Sequence, residues 1–250
     1  MYRLFLQKKK ANKLLAESNT QLKEQKEKVE QQSVLLKEAH TKLKKRNSQI
    51  LDSISYASRI QDAILPYQEA IQKSLHRSFV FFKPRDIVSG DFYWYSEQNN
   101  KIFIAVADCT GHGVPGAFMS MIGNTLLNEI IKTKNVTSPS SILEMLNKEV
   151  VAILNQDSDS QNFQDDGMDI SVCSIDKDNE EFTIACANST AYFIENNKLH
   201  SINGDVFSIG GVFSSKLDVS FNNHSFKTSK DSVLYMFSDG FKDQFGGKDN

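Results

Sequence analysis

The chain has 250 residues, 40% hydrophobic and 24% charged, with 29 Lys+Arg against 31 Asp+Glu and a formal net charge of −2. These totals leave room for one large domain or two small ones and exclude the weakly hydrophobic, highly charged class of chains that stays unfolded. Residues 1–50 hold 13 Lys+Arg against 5 Asp+Glu, while the remainder holds 16 against 26, so the body is acidic and is not expected to bind nucleic acid.

At the N-terminus Met1, Tyr2, Leu4, Phe5 and Leu6 run into Lys8, Lys9 and Lys10. The pattern is that of the cytoplasmic end of a membrane span followed by positive charge, but it is far shorter than the ~20 apolar residues a span needs. No span and no signal peptide is expected within the chain; a membrane segment or sensor domain ahead of Met1 is compatible with the pattern. Neither proline nor glycine occurs between Lys8 and Ile64, and Leu15, Leu22, Val29, Leu36, Leu43 and Ile50 recur every seven residues. That register predicts a long helix in a coiled coil, and therefore a homodimer. The second seam position is polar (Asn12, Asn19, Lys26, Ser33, His40, Asn47), so the pair is expected to be modestly stable; a single exposed helix is the alternative. The basic charge is read as the solvated face of this helix in preference to a polyanion or membrane site. From Ile50 the apolar face becomes denser (Leu51, Ile54, Ala57, Ile60, Ile64, Leu65) until Pro66 ends it, which divides the chain into a helix over 1–65 and a body over 66–250.

A short helix is expected over 68–75, and Phe79-Val80-Phe81-Phe82 is expected to begin the β-rich body. Further strands are expected near 91–96, 101–107, 168–175, 181–187, 190–195, 198–202, 218–227 and 232–238, and helices near 115–133 and 139–155. Asn99-Asn100, Asp178-Asn179 and Asn196-Asn197 read as hairpin turns. Hairpin-linked strands with two helices inserted together predict antiparallel sheets with helices against them, rather than a strict βαβ alternation. Residues 156–166 are nearly devoid of apolar side chains and predict a mobile flap.

Three aspartates stand beside glycine at one end of an apolar run: Asp91 in Ser89-Gly90-Asp91-Phe92-Tyr93-Trp94, Asp108 in Ala107-Asp108-Cys109-Thr110-Gly111-His112-Gly113, and Asp239 in Ser238-Asp239-Gly240. Glycine lets the main chain approach an ion or phosphate closely. Carboxylates brought together repel and resist ionisation unless a cation neutralises them. Oxygen ligands without a His or Cys cluster suit magnesium or manganese rather than zinc. The three cysteines, Cys109, Cys173 and Cys186, form neither a disulfide framework nor a ligand pair, as in a reducing cytoplasmic compartment. Cys109 has no base marked for it and is read as a small turn residue, not a nucleophile.

Together with Asp166-Gly167-Met168-Asp169, these motifs resemble those of the PPM phosphatases, metal-dependent serine/threonine protein phosphatases, in their bacterial SpoIIE-like branch. The resemblance covers the chain from about Phe79 and implies an α/β (α+β) sandwich of two antiparallel sheets flanked by helices. It implies two Mn2+ or Mg2+ ions, with Asp91 as the shared ligand and Asp108, the Cys109 carbonyl and Asp239 completing the set. It also implies that the helix over 53–66 transmits a sensor's state to the catalytic domain. The reaction expected is hydrolysis of phosphoserine or phosphothreonine on a signalling protein, often an anti-sigma-factor antagonist of the STAS type, by metal-activated water. Arg85 is a candidate clamp on the substrate phosphate or a solvated surface arginine, and His112 a candidate acid for the leaving oxygen or a loop-shaping residue. Asp166 and Asp169 carry no assigned metal. PPM domains usually carry a last metal-binding aspartate beyond Ser-Asp-Gly; the chain stops eleven residues after Asp239, and Asp243 and Asp249 are too close to it to serve. The resemblance therefore implies a fragment or a site short of one ligand. The competing expectations are a weak or inactive pseudophosphatase acting as a dimeric signalling module, and a plain coiled-coil scaffold.

Overall fold

A computed structural model of the chain describes residues 1–156, 165–211 and 217–243. Most of the expected flap, and Asp249, lie outside the described residues. The chain divides into two compact units, Met1–Ser53 and Ile54–Asn250, which puts the last turns of the first helix with the body.

In the first unit lies most of helix α1 (Tyr2–Ile64), uninterrupted because no residue in it breaks the backbone pattern. Its heptad residues Leu15, Leu22, Val29, Leu36, Leu43 and Ile50 are all exposed. No helix among the described residues is long and apolar enough to cross a membrane. Pro66 ends the helix, and α2 follows (Gln68–Ser74).

The expected strand at 79–82 does not form: residues 75–91 are irregular, with Phe79 and Phe81 exposed. β-Propensity there has no neighbouring strand to pair with; Phe82 instead packs edge-on against Tyr93, with ring centroids 5.6 Å apart. The larger sheet comprises β1 (Phe92–Gln98), β2 (Lys101–Cys109), β3 (Gly167–Asp176), β4 (Glu181–Ala187) and β8 (His224–Lys227) in that order, with the two-residue β7 (Ile209–Gly210) paired on β3. The smaller sheet has the order β6 (Lys198–Asn203), β5 (Thr190–Glu195), β9 (Val233–Met236). Every strand pair is antiparallel. The strand expected over 218–227 is confined to its last four residues, those that find partners on β4.

Asn99-Asn100 and Asn196-Asn197 both carry paired positive φ (51° and 60°; 50° and 59°), the conformation tight hairpins need and asparagine tolerates. The third turn differs. Its positive φ falls on Glu180, and Asp176 Oδ1 accepts the amides of Asp178 and Asn179 in an Asx turn.

Between β2 and β3 come α3 (Val114–Leu127) and α4 (Pro139–Ile153). The helix expected over 115–133 is α-helical only to Leu127 and then widens into a π-helical segment, Asn128–Thr133, that brings the consecutive Ile130 and Ile131 both into the core. Alternate strand residues serve two cores. Ala105, Ala107, Ile170, Val172, Ala185 and Ala187 pack with the helices, while Cys173, Phe182, Ile184 and Cys186 pack with Ala191, Phe193 and Ile202 of the smaller sheet. The result is helices, sheet and sheet in layers, with both faces of the larger sheet covered.

Candidate active site

Three of the expected residues meet. Asp91 immediately precedes β1, Asp108 is the penultimate residue of β2, and Asp239 opens the turn after β9, so two adjacent strands and the opposite sheet each deliver one carboxylate. Asp108 is off the helix-packed face, because its neighbours Ala107 and Cys109 take that face in the strand alternation. Asp108 stands centrally. Burial, then the charge of Asp91, then contact with the carboxylate of Asp239 push it from the ordinary value of 3.8 to about 8. Ser238 Oγ donates to Asp91 Oδ2 at 2.6 Å and so ties the residue before Asp239 to the first segment.

The main chain around them is set by close approaches. Gly111 and Gly113 have φ of 85° and 66°, closed to most side chains, and Gly113 precedes the first turn of α3, where Pro115 needs no donor. A Cβ on Gly90 would lie 2.9 Å from the Gly111 carbonyl oxygen and 3.0 Å from that of Cys109. Thr110 fastens the loop to β3: its amide and hydroxyl both donate to the Gly167 carbonyl, and the Gly167 amide donates back to the hydroxyl at 2.8 Å.

Asp169 pairs in register with Asp108 across β2 and β3. Ser208 and Asn188 donate to its two oxygens at 2.6 and 2.9 Å. A cleft is lined by Asp108, Asp169, Asn188, Ser238, Asp239 and Lys242, among others. Asp166 contributes its carbonyl, which accepts from Gln156 at 2.6 Å. The other candidates stand apart. His112 is exposed with Nδ1 3.4 Å from Asp86 Oδ2, Arg85 is exposed, and neither lines this cleft. Cys109 is buried, its thiol pushed well up by burial and then by the charges of Asp108 and Asp91, as for a packed residue and not a nucleophile.

The donor set suits a hard cation. Carboxylates close enough to hold one another's protons are what a divalent ion would neutralise, with the Cys109 carbonyl nearby as a neutral oxygen. Asp108 contacts both Asp91 and Asp239, although among the described residues no group of three or more His, Cys, Asp or Glu side chains is arranged to hold a metal ion as it stands. Sequence reasoning missed Asn188, Ser208 and Lys242. Their places follow from strand pairing between distant segments, and no local pattern marks them.

The family model described as Stage II sporulation protein E (SpoIIE) matches residues 98–250. The chain is 31% identical to the SiaA-PP2C domain of Pseudomonas aeruginosa, covering 81% of this chain and 77% of that one, with a TM-score of 0.70. It is 25% identical over 202 residues to phosphoserine phosphatase RsbU of Bacillus subtilis (strain 168), which is 80% of this chain but 56% of that protein's length. The structure of the RsbU and RsbW domains of a Mycobacterium tuberculosis protein shares the fold at 16% identity, with a TM-score of 0.51 over 65% of this chain and 42% of that one.

Proposed function

The chain belongs to the SpoIIE family, and on that premise we propose that it is a Mn2+- or Mg2+-dependent phosphatase that removes phosphate from serine or threonine of a protein partner. The observation that carries the proposal is the meeting of Asp91, Asp108 and Asp239 from three separated segments. Bound divalent ions would lower the pKa of a water and neutralise the phosphoryl oxygens during in-line attack.

Asp108, which touches both other carboxylates, would hold the ions together with Asp91, Asp239 and the Cys109 carbonyl. Ser238 holds one oxygen of Asp91, and the Asp91 carboxylate also meets that of Asp108. Lys242 brings a positive charge to the cleft, where an anionic substrate arrives. Arg85 and His112 remain candidates for substrate contact from the loops outside it. The substrate proposed is a phosphorylated signalling protein, of the STAS type by resemblance, in the cytoplasm, and the active unit is a homodimer through α1.

The test is phosphate release from a phosphomonoester and a phosphoserine peptide, with and without Mn2+. Metal-dependent release is expected, and Asp108→Asn should reduce it at least about a hundredfold, since even outer-shell partners of a metal are worth 10–100-fold. Release that ignores both Mn2+ and the substitution would sink the proposal. Retained binding of a phosphoprotein without turnover would favour the pseudophosphatase instead.

A further inference from the structure

The final turns of α1 bury one residue, and it is a polar one. Gln61 is 5% exposed, whereas the adjacent Ile60 is 40% exposed, the reverse of what hydrophobicity alone would arrange. A buried amide is costly unless its donors and acceptor are used. Those of Gln61 are used on two residues: Nε2 donates to the Ser89 carbonyl at 2.6 Å and to Ser120 Oγ at 2.8 Å, and Oε1 accepts the Ser89 amide at 3.0 Å. Taking both the N–H and the C=O of one residue, the side chain acts as a strand partner would and fixes the peptide planes on either side of Ser89.

Ser89 precedes Asp91 by two residues, with only Gly90 between. Glycine is the residue least able to hold its own backbone in place. Gly90 also cannot be replaced by a stiffer residue, since its Cβ would strike the carbonyls of Cys109 and Gly111. Ser120 lies one turn beyond Gly116, whose added Cβ would come within 2.9 Å of the Gly90 Cα. Gln61 therefore closes a junction of three segments: the end of α1, the approach to Asp91, and the helix that follows Asp108.

We propose that Gln61 is a positioning residue, setting the Asp91 carboxylate for the divalent ions by holding Ser89. The inference rests on the metal-site reading above. The end of α1 has other attachments, Asn124 to the Ile64 carbonyl at 3.3 Å, Tyr93 to the Pro66 carbonyl at 3.0 Å and the buried Leu65, so the body can fold without the clasp.

The test compares the full chain with Gln61→Leu and Gln61→Glu. Three quantities are read: hydrogen exchange at the Ser89 amide, Mn2+ affinity by calorimetry, and the Mn2+ dependence of phosphomonoester hydrolysis. Gln61→Leu should speed exchange at Ser89 and weaken Mn2+ binding roughly tenfold, with kcat at saturating Mn2+ near that of the unsubstituted chain, because the ligands themselves are intact. Gln61→Glu keeps the shape and the acceptor for the Ser89 amide but turns an oxygen toward the Ser89 carbonyl, so it should weaken Mn2+ at least as much; it decides the matter if the leucine variant does not fold. Unchanged Mn2+ affinity in a folded variant whose Ser89 amide exchanges faster would overturn the proposal and leave Gln61 a structural residue. No Mn2+ binding by the unsubstituted chain is a different result, which removes the metal-site reading itself and the positioning role with it.

Discussion

Asp108 concentrates the electrostatic conflict of the fold. Its carboxyl is raised from 3.8 to about 8 by burial and by Asp91 and Asp239, so between those values the folded chain binds a proton that the unfolded chain has released. A carboxyl raised in this way favours the folded state at low pH and loses that advantage as pH rises toward 8. Without divalent ions, the stability of Asp108→Asn relative to the unsubstituted chain should therefore increase with pH over that window, and added Mn2+ should reverse the trend. Urea denaturation at a series of pH values reads both, and a pH-independent difference would contradict the account. The cysteines make a second prediction. Cys109, Cys173 and Cys186 are 4%, 0% and 0% exposed, and burial raises all three thiols. A thiol reagent near neutral pH should modify none of them in the folded chain and all three in denaturant; rapid modification of Cys109 in the folded chain would reopen its reading as a nucleophile.

Elements bring these residues together through glycine contacts that leave no room for a side chain. At Gly116 an added Cβ would lie 2.5 Å from the Gly111 carbonyl oxygen and 2.9 Å from the Gly90 Cα, both backbone atoms that cannot swing away. Gly116→Ala should destabilise the body by about 1–3 kcal/mol in a denaturant titration, despite alanine's better helix propensity, and should separate the segments that carry Asp91 and Asp108. A stabilised variant would show that the junction is looser than these approaches imply. The same elements explain what the sequence disclosed. Asn99-Asn100 and Asn196-Asn197 announced their hairpins because positive φ is a local demand that a dipeptide can answer. Phe79 and Phe81 misled because strand propensity is real only where a neighbour exists, and the π-helical widening at Asn128 responds to the core rather than to its own residues. The three aspartates were legible as candidates since each sits at or just beyond the end of a strand with glycine within three residues. That Asp108 touches the other two, that Asn188 and Ser208 hold Asp169, and that Gln61 turns inward where the apolar pattern offered Ile60 are facts of packing between segments 17 to 131 residues apart.

At the scale of the whole molecule, an apolar stripe of α1 stands exposed among the described residues. Leu15, Leu22, Val29, Leu36, Leu43 and Ile50 are 57–71% exposed along one heptad stripe of α1. Burying a leucine contributes about 1.5–3 kcal/mol, so covering six such positions on each of two chains provides ample drive for association, partly offset by the polar second seam at Asn12, Asn19, Lys26, Ser33, His40 and Asn47. A lone helix with so few apolar positions on its other faces gains nothing comparable by staying apart. Sedimentation equilibrium should show a dimer that dissociates on dilution, and Leu22→Asn with Leu36→Asn should leave a monomer. The asparagine pair opposes asparagine to asparagine in a parallel dimer, a pairing tolerated once but costly when repeated in a seam already half polar. A chain that sediments as a monomer without substitution would make the stripe a surface for some other helix; a dimer that survives both substitutions would move the interface off the heptads altogether.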